Sequence, residues 1–127
     1  MTDERIAAAI RERAEEGTLR CVVAFRIAEE LGVTPLAVGK TADALEVRLV
    51  RCQLGLFGHG GQKSIVEPAE KIEPDLERAI REGLILGRLP CAVAWVIAAR
   101  FGMPRLHVTN AAEKLDVRIG QCQLGAF

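Results

Sequence analysis

A mainly α fold with short β-strands, built as two tandem copies of one small domain, is what this sequence predicts. Three observations predict it: an internal repeat, apolar residues at helical spacing in each copy, and glycines and prolines at matched breaks. Sliding the chain by 70 residues lays Met1–Phe57 on Lys71–Phe127 without a gap, and 23 of the 57 pairs are identical. Cys21 falls on Cys91, Gly32 on Gly102, Cys52-Gln53-Leu54-Gly55 on Cys122-Gln123-Leu124-Gly125, and Phe57 on Phe127. One repetition at so long a period marks two copies of a domain rather than a solenoid. The boundaries read as residues 1–57 for the first copy, 58–70 for a Gly-rich linker and 71–127 for the second.

The first segment of each copy, Asp3 to Glu16 and Glu73 to Leu86, carries apolar residues at i, i+3, i+4, as Ile6, Ala9 and Ile10 show. Pro74 and Asp75 suit a first helical turn, and Gly17 and Gly87 are expected to stop these helices. Thr18–Arg20 and Arg88–Pro90 are too brief for helices and read as short extended pieces; Pro90 confines its own to an edge or a strand end. Cys21 to Leu31 and Cys91 to Phe101 form the second helix, with Ala24, Ile27 and Ala28 on one face and Phe25 and Trp95 assigned to the core. Gly32-Val33-Thr34-Pro35 and Gly102-Met103-Pro104-Arg105 then make a tight turn, in which glycine takes the left-handed conformation and Thr34 caps a helix opened by Pro35. The third helix runs from Pro35 to Leu45 with Val38, Ala42 and Leu45 inward. Residues 46–52 and 116–122 largely alternate and read as strands.

Composition limits what the domains can be. The chain has 127 residues, half of them hydrophobic, with four Phe, one Trp and no Tyr, so the core must be Ala, Val, Leu and Ile. Units of about 55–65 residues can fold alone, if marginally. No stretch reaches the roughly 18 apolar residues of a membrane span, and the charged start Met1-Thr2-Asp3-Glu4-Arg5 is no signal peptide. A cytoplasmic protein that meets no membrane is expected. Net charge is zero; the first copy carries −1 and the second +2, so any phosphate contact belongs with the second.

Helix, short strand, helix, tight turn, helix, strand is the element order of a winged helix. Ile27, Ala28, Leu31, Gly32, Val33 and Val38 carry the helix-turn-helix spacing, repeated as Ile97, Ala98, Phe101, Gly102, Met103 and Val108. On these residues the chain resembles the winged helix-turn-helix superfamily over both copies. The ending Cys-Gln-Leu-Gly-Leu-Phe-Gly is similar to that of small duplicated winged-helix proteins of bacteria and archaea, a likeness that brings no activity with it. No second wing strand is legible: the first copy runs into Gly58-His59-Gly60-Gly61 and the second reaches Phe127, so the wing is expected to be absent or vestigial. Duplicated units often reproduce a homodimer within one chain, so an approximate two-fold packing is expected.

The resemblance implies double-stranded DNA as the partner, with the third helix in the major groove. The helical wheel turns Leu36, Lys40 and Asp43 outward in the first copy, and Leu106, His107, Asn110, Glu113 and Lys114 in the second. Arg105, Asn110 and Lys114 suit guanine, adenine and phosphate, with His107 beside them; Thr34, Lys40 and Arg51 are the weaker candidates of the first copy. The alternative is a protein-interaction or dimerisation module without nucleic acid. Leu36 and Leu106 hold the same outward position in both copies, where an apolar residue favours contact with a protein surface.

Catalysis, cofactors and metals are not expected. Cys21 to Cys52 and Cys91 to Cys122 are each separated by 31 positions, with no C-x-x-C. Buried cysteine as small apolar filler is the expected role, a thiol pair or disulfide the alternative. His59 and His107 have no second histidine at ligand spacing, and the glycine run at 58–61 lacks the Lys-Ser/Thr of a phosphate loop. No nucleophile stands beside a base. Arg48 and Arg118 are matched; they are assigned to ion pairs with a carboxylate such as Asp43 or Glu113, with phosphate contact as the alternative.

Overall fold

The computed structural model describes residues 3–60 and 64–127. Gly61, the end of the glycine run, therefore lies outside the described residues, as do the first two residues of the chain. The fold is mainly helical with a few short strands: α1 (Glu4–Arg13), β1 (Thr18–Arg20), α2 (Cys21–Leu31), α3 (Pro35–Ala44) and β2 (Arg48–Val50), then α4 (Pro74–Glu82), β3 (Arg88–Pro90), α5 (Cys91–Phe101), α6 (Arg105–Lys114) and β4 (Arg118–Gly120).

The first helix of each copy is shorter than its apolar spacing predicts. Helix α1 ends at Arg13 and α4 at Glu82; beyond them Glu15 pairs with Thr18 and Ile85 with Arg88 across tight antiparallel turns. Glu16 and Gly17, like Leu86 and Gly87, have positive φ, the twist that a two-residue hairpin requires. Gly17 and Gly87 thus shape hairpins rather than stop helices. At its start α1 is capped by Asp3, whose carboxylate accepts from the Arg5 and Ile6 amides. The Arg5 guanidinium, then its amide, holds that carboxyl below its ordinary pKa. The cap is therefore complete at neutral pH and is lost as the pH falls through the lowered value. Proton titration by NMR is expected to show the first turn of α1 loosening only in acid.

The turns between the second and third helices follow the sequence. Gly32 and Gly102 are left-handed, at φ 65° and 62°, and the Val33 and Met103 amides donate back to Ala28 and Ala98. Strands pair within each copy: β1 with β2, Thr18 opposite Arg48, and β3 with β4, Arg88 opposite Arg118. Both pairs are parallel, which the α2–α3 and α5–α6 crossovers permit. Among the described residues, each second strand is followed by a loop rather than another strand. The Cys52 amide donates to the Phe57 carbonyl at 3.1 Å and the Arg51 amide to Gly58 at 3.1 Å; the Cys122 amide donates to Phe127 at 3.2 Å.

The chain divides into two compact units, and their membership does not follow the repeat. Unit 1 is Met1–Cys52, Phe57–Lys63 and Gln123–Ala126; unit 2 is Gln53–Leu56, Ser64–Cys122 and Phe127. Each closed loop thus has its tip in the unit built by the other copy. In unit 1 the buried residues include Ile6, Ile10, Leu19, Ile27, Val38 and, at 2% exposure, Leu124. In unit 2 Leu54 is fully buried, as are Ile80, Leu89 and Val108. Gly39, in the middle of α3, is where the tip comes closest: a Cβ there would overlap the Leu124 carbonyl oxygen. Thr41 and Thr109, buried on the third helices, satisfy their hydroxyls on the carbonyls of Ala37 and Arg105.

Two substitutions measure this contact. Gly39→Ala forces the loop off α3 and is expected to cost about 1–3 kcal/mol; Leu124→Ala leaves a cavity and is expected to cost about 2–5 kcal/mol. Urea unfolding gives the size of each effect. Hydrogen exchange is expected to locate both at the α3 amides, although Leu124 lies in the second copy of the sequence.

Candidate functional site

The third helices carry the residues that the sequence puts forward for recognition, and they divide into engaged and open groups. Arg105 opens α6 and is half-buried. Its guanidinium carbon lies 3.6 Å from the centroid of the Trp95 ring, close enough for a cation–π contact, and it donates a hydrogen bond to the Gln53 side-chain oxygen. Asn110 is half-buried too. Its side-chain oxygen accepts from the Glu67 amide at 2.9 Å and its backbone carbonyl from the Ala69 amide at 3.0 Å, which fastens residues 67–69 along α6. The two strongest sequence candidates for base reading are therefore held by their own unit. Periodicity turned Asn110 outward and set Arg105 at the helix start; it could not foresee that a loop tip and the chain before α4 would engage them.

Leu36 and Leu106 are explained by the same loops. In unit 2 a Cβ on Gly55 would lie 2.5 Å from Leu106 Cδ1, and in unit 1 a Cβ on Gly125 would lie 2.8 Å from Leu36 Cδ1. Each leucine packs on a bare glycine of a loop tip, and Leu36 keeps 43% of its surface exposed. Thr34 does what a cap does: its hydroxyl accepts from the Ala37 amide at 3.1 Å. Lys40, His107 and Lys114 are exposed. Arg51 is exposed at φ 51°, at the entrance of the first loop.

Two further assignments change. Phe25 and Trp95 are half-buried rather than core, and in Trp95 the open ring face is the one that takes Arg105. Among the described residues Arg48 and Arg118 form no ion pair with Asp43 or Glu113; the salt bridges are Arg5–Asp3, Arg13–Glu30 and Arg81–Glu77. The cysteines are thiols, three buried and Cys122 half-buried. His59 Nε2 lies 3.1 Å from the Cys52 carbonyl oxygen, on the first closed loop.

The surface that sequence reading passed over is the hairpin before β3. Leu86 is 97% exposed at φ 53°, Ile85 is 51% exposed, and Val96 on α5 is 65% exposed. The matched residues of the first copy are Glu16, Glu15 and Arg26. Neither the core nor the backbone explains Leu86: it buries nothing, and its conformation favours Gly or Asn. Apolar spacing through Leu84–Leu86 made this stretch read as the end of a helix. The signal that could have found it was the change from Glu-Glu-Gly to Ile-Leu-Gly across the repeat. Arg88 and Arg118 flank the hairpin in β-register, both exposed, and the Arg88 stem lies along Gly120.

Unit 2 also has an open groove of about 350 Å³, lined by Glu67, Lys71, Leu76, Met103, His107 and Asn110 among others. Among the described residues no cluster of three or more His, Cys, Asp or Glu is placed to hold a metal ion, and no helix is long and apolar enough to cross a membrane. In comparison with known proteins, no family model, no curated protein and no solved structure matches the chain.

Trp95 is the sole tryptophan, so its environment can be read optically. Arg105→Ala is expected to shift Trp95 fluorescence to longer wavelength as water replaces the guanidinium. Asn110→Ala is expected to speed hydrogen exchange of the Glu67 amide and to cost about 0.5–1.5 kcal/mol in urea unfolding.

Proposed function

We propose that this chain is a non-catalytic binding protein: two winged-helix-like helix-turn-helix units in which the wing is reduced to a closed loop, with unit 2 presenting a surface for a protein partner. The element order and the left-handed glycine turn between the second and third helices support the helix-turn-helix reading. Supporting the partner reading is one observation above all, the apolar Ile85, Leu86 and Val96 exposed where the first copy carries Glu15, Glu16 and Arg26. Exposed apolar residues that the fold does not need are what a partner covers, and the flanking Arg88 and Arg118 favour an acidic rim on that partner. Fold alone does not decide function, so the weight rests on this surface.

Duplex DNA is the second reading, favoured by the exposure of Lys40, His107 and Lys114 on the third helices. With Arg105 and Asn110 engaged and a net charge of zero, such binding would rest on few phosphate contacts and would be weak and steeply salt-dependent.

A paired experiment separates the readings. The native chain and a variant carrying Ile85→Glu, Leu86→Glu and Val96→Arg are compared in affinity capture and in fluorescence anisotropy with random-sequence duplex DNA across a salt series. The expected outcome is a defined partner recovered by the native chain, lost in the variant, and no DNA binding at low salt. Salt-sensitive DNA binding that survives the hairpin changes and is lost on Lys40→Ala with Lys114→Ala would establish the second reading instead.

A further inference from the structure

The two loop tips are nearly the same peptide. Cys52–Phe57 reads Cys-Gln-Leu-Gly-Leu-Phe and Cys122–Phe127 reads Cys-Gln-Leu-Gly-Ala-Phe. Each third helix receives the tip that its own copy does not supply: Leu124 and Gly125 lie against Gly39 and Leu36 in unit 1, and Gln53 and Gly55 against Arg105 and Leu106 in unit 2. The fit is specific. Leucine is buried, the following glycine at φ 82° or 80° lies under a helix leucine, and Gly39 has no side chain where the Leu124 carbonyl passes. At the entrance of the loops stand Arg51 and Gln121, non-glycine residues at φ 51° and 48°. Positive φ at such residues is costly, so the matched strain marks the points where the chain turns away from its own copy.

A cradle that accepts a loop from outside the copy that builds it has no means of telling one source of that loop from another. We propose that the third-helix cradles are docking sites for the Cys-Gln-Leu-Gly loop of a second copy of this chain, giving a dimer in which loops are exchanged between molecules. A second copy is the fitting occupant because it carries the loop at the right sequence, with leucine for the buried position and glycine for the close approach. Exchange between identical elements needs no new interface, which makes it a low-cost route to dimers. The internal loops belong to the same chain as their cradles, so their effective concentration exceeds that of a second copy in dilute solution. The closed monomer therefore dominates in dilute solution, and exchange emerges at high concentration or when one internal pairing is blocked.

Complementation tests this directly. One full-length variant carries Leu124→Asp, which removes the buried anchor of the second loop; the other carries Gly39→Leu, which fills the cradle of unit 1. Native mass spectrometry and light scattering are read on each variant alone and on the mixture at about 100 µM. The expected result is a 1:1 heterodimer on mixing, with α3 amide protection restored in the Leu124→Asp chain and absent in either variant alone. A mixture that stays monomeric, or variants that dimerise as well alone as together, would overturn the proposal. Should either variant fail to fold, the native chain is refolded from urea at about 1 µM and about 1 mM. Exchange is expected to leave a slowly dissociating dimer only from the concentrated sample; monomer from both would overturn it.

Discussion

Contact between a loop leucine and a third helix is the constraint on which most of this structure depends. A domain of this size buries little apolar surface, and its sheets are pairs of three-residue strands. Burying one leucine contributes about 1.5–3 kcal/mol, a large share of the stability of so small a unit. Leu124 in unit 1 and Leu54 in unit 2 supply that share from loops that belong, by sequence, to the other copy. The requirement then propagates. Gly39 must lack a side chain, Gly55 and Gly125 must lie beneath Leu106 and Leu36, and the backbone must turn through positive φ at Arg51 and Gln121.

The same contact bears on function. The proposed helix-turn-helix reading would put DNA on the outward face of the third helix. Here the first turn of that face is taken by Leu36 and Gly125 in one unit, and by Leu106, Gly55, Gln53 and Arg105 in the other. Farther along α6, Asn110 holds the chain before α4. The groups best suited to bases are thus part of the protein's own packing. What remains open is a few cations and, in unit 2 alone, the apolar hairpin around Leu86. There the second copy carries Ile85, Leu86 and Val96 where the first carries Glu15, Glu16 and Arg26.

Much of the helical framework was legible because local chemistry determines it. The second and third helices and the glycine turns follow from apolar spacing, from Thr34 as a cap and from the left-handed preference at Gly32 and Gly102. The ends of α1 and α4 were not legible, since the spacing continues through residues that the structure bends into hairpins. The destination of the loops was hidden for a different reason. Cys52-Gln53-Leu54-Gly55 and its repeat are conspicuous as sequence, but which unit buries Leu54 is a long-range fact without a local signature. Of the candidate site, periodicity pointed to Lys40, His107 and Lys114, which are exposed, and also to Leu106 and Asn110, which are half-buried because their cover comes from distant parts of the chain. Arg105 shows this most clearly: its position at the helix start was readable, its contacts with Trp95 and Gln53 were not.

The most direct measurement is a nuclear Overhauser spectrum of the full chain, read at the Gly39 α-protons and at the Leu36 and Leu106 methyls. Cross-peaks from Gly39 to Leu124, from Leu36 to Gly125 and from Leu106 to Gly55 are the expected result. Gly39 protons that meet only residues of the first copy, with Leu124 signals in solvent-like positions, would contradict the account.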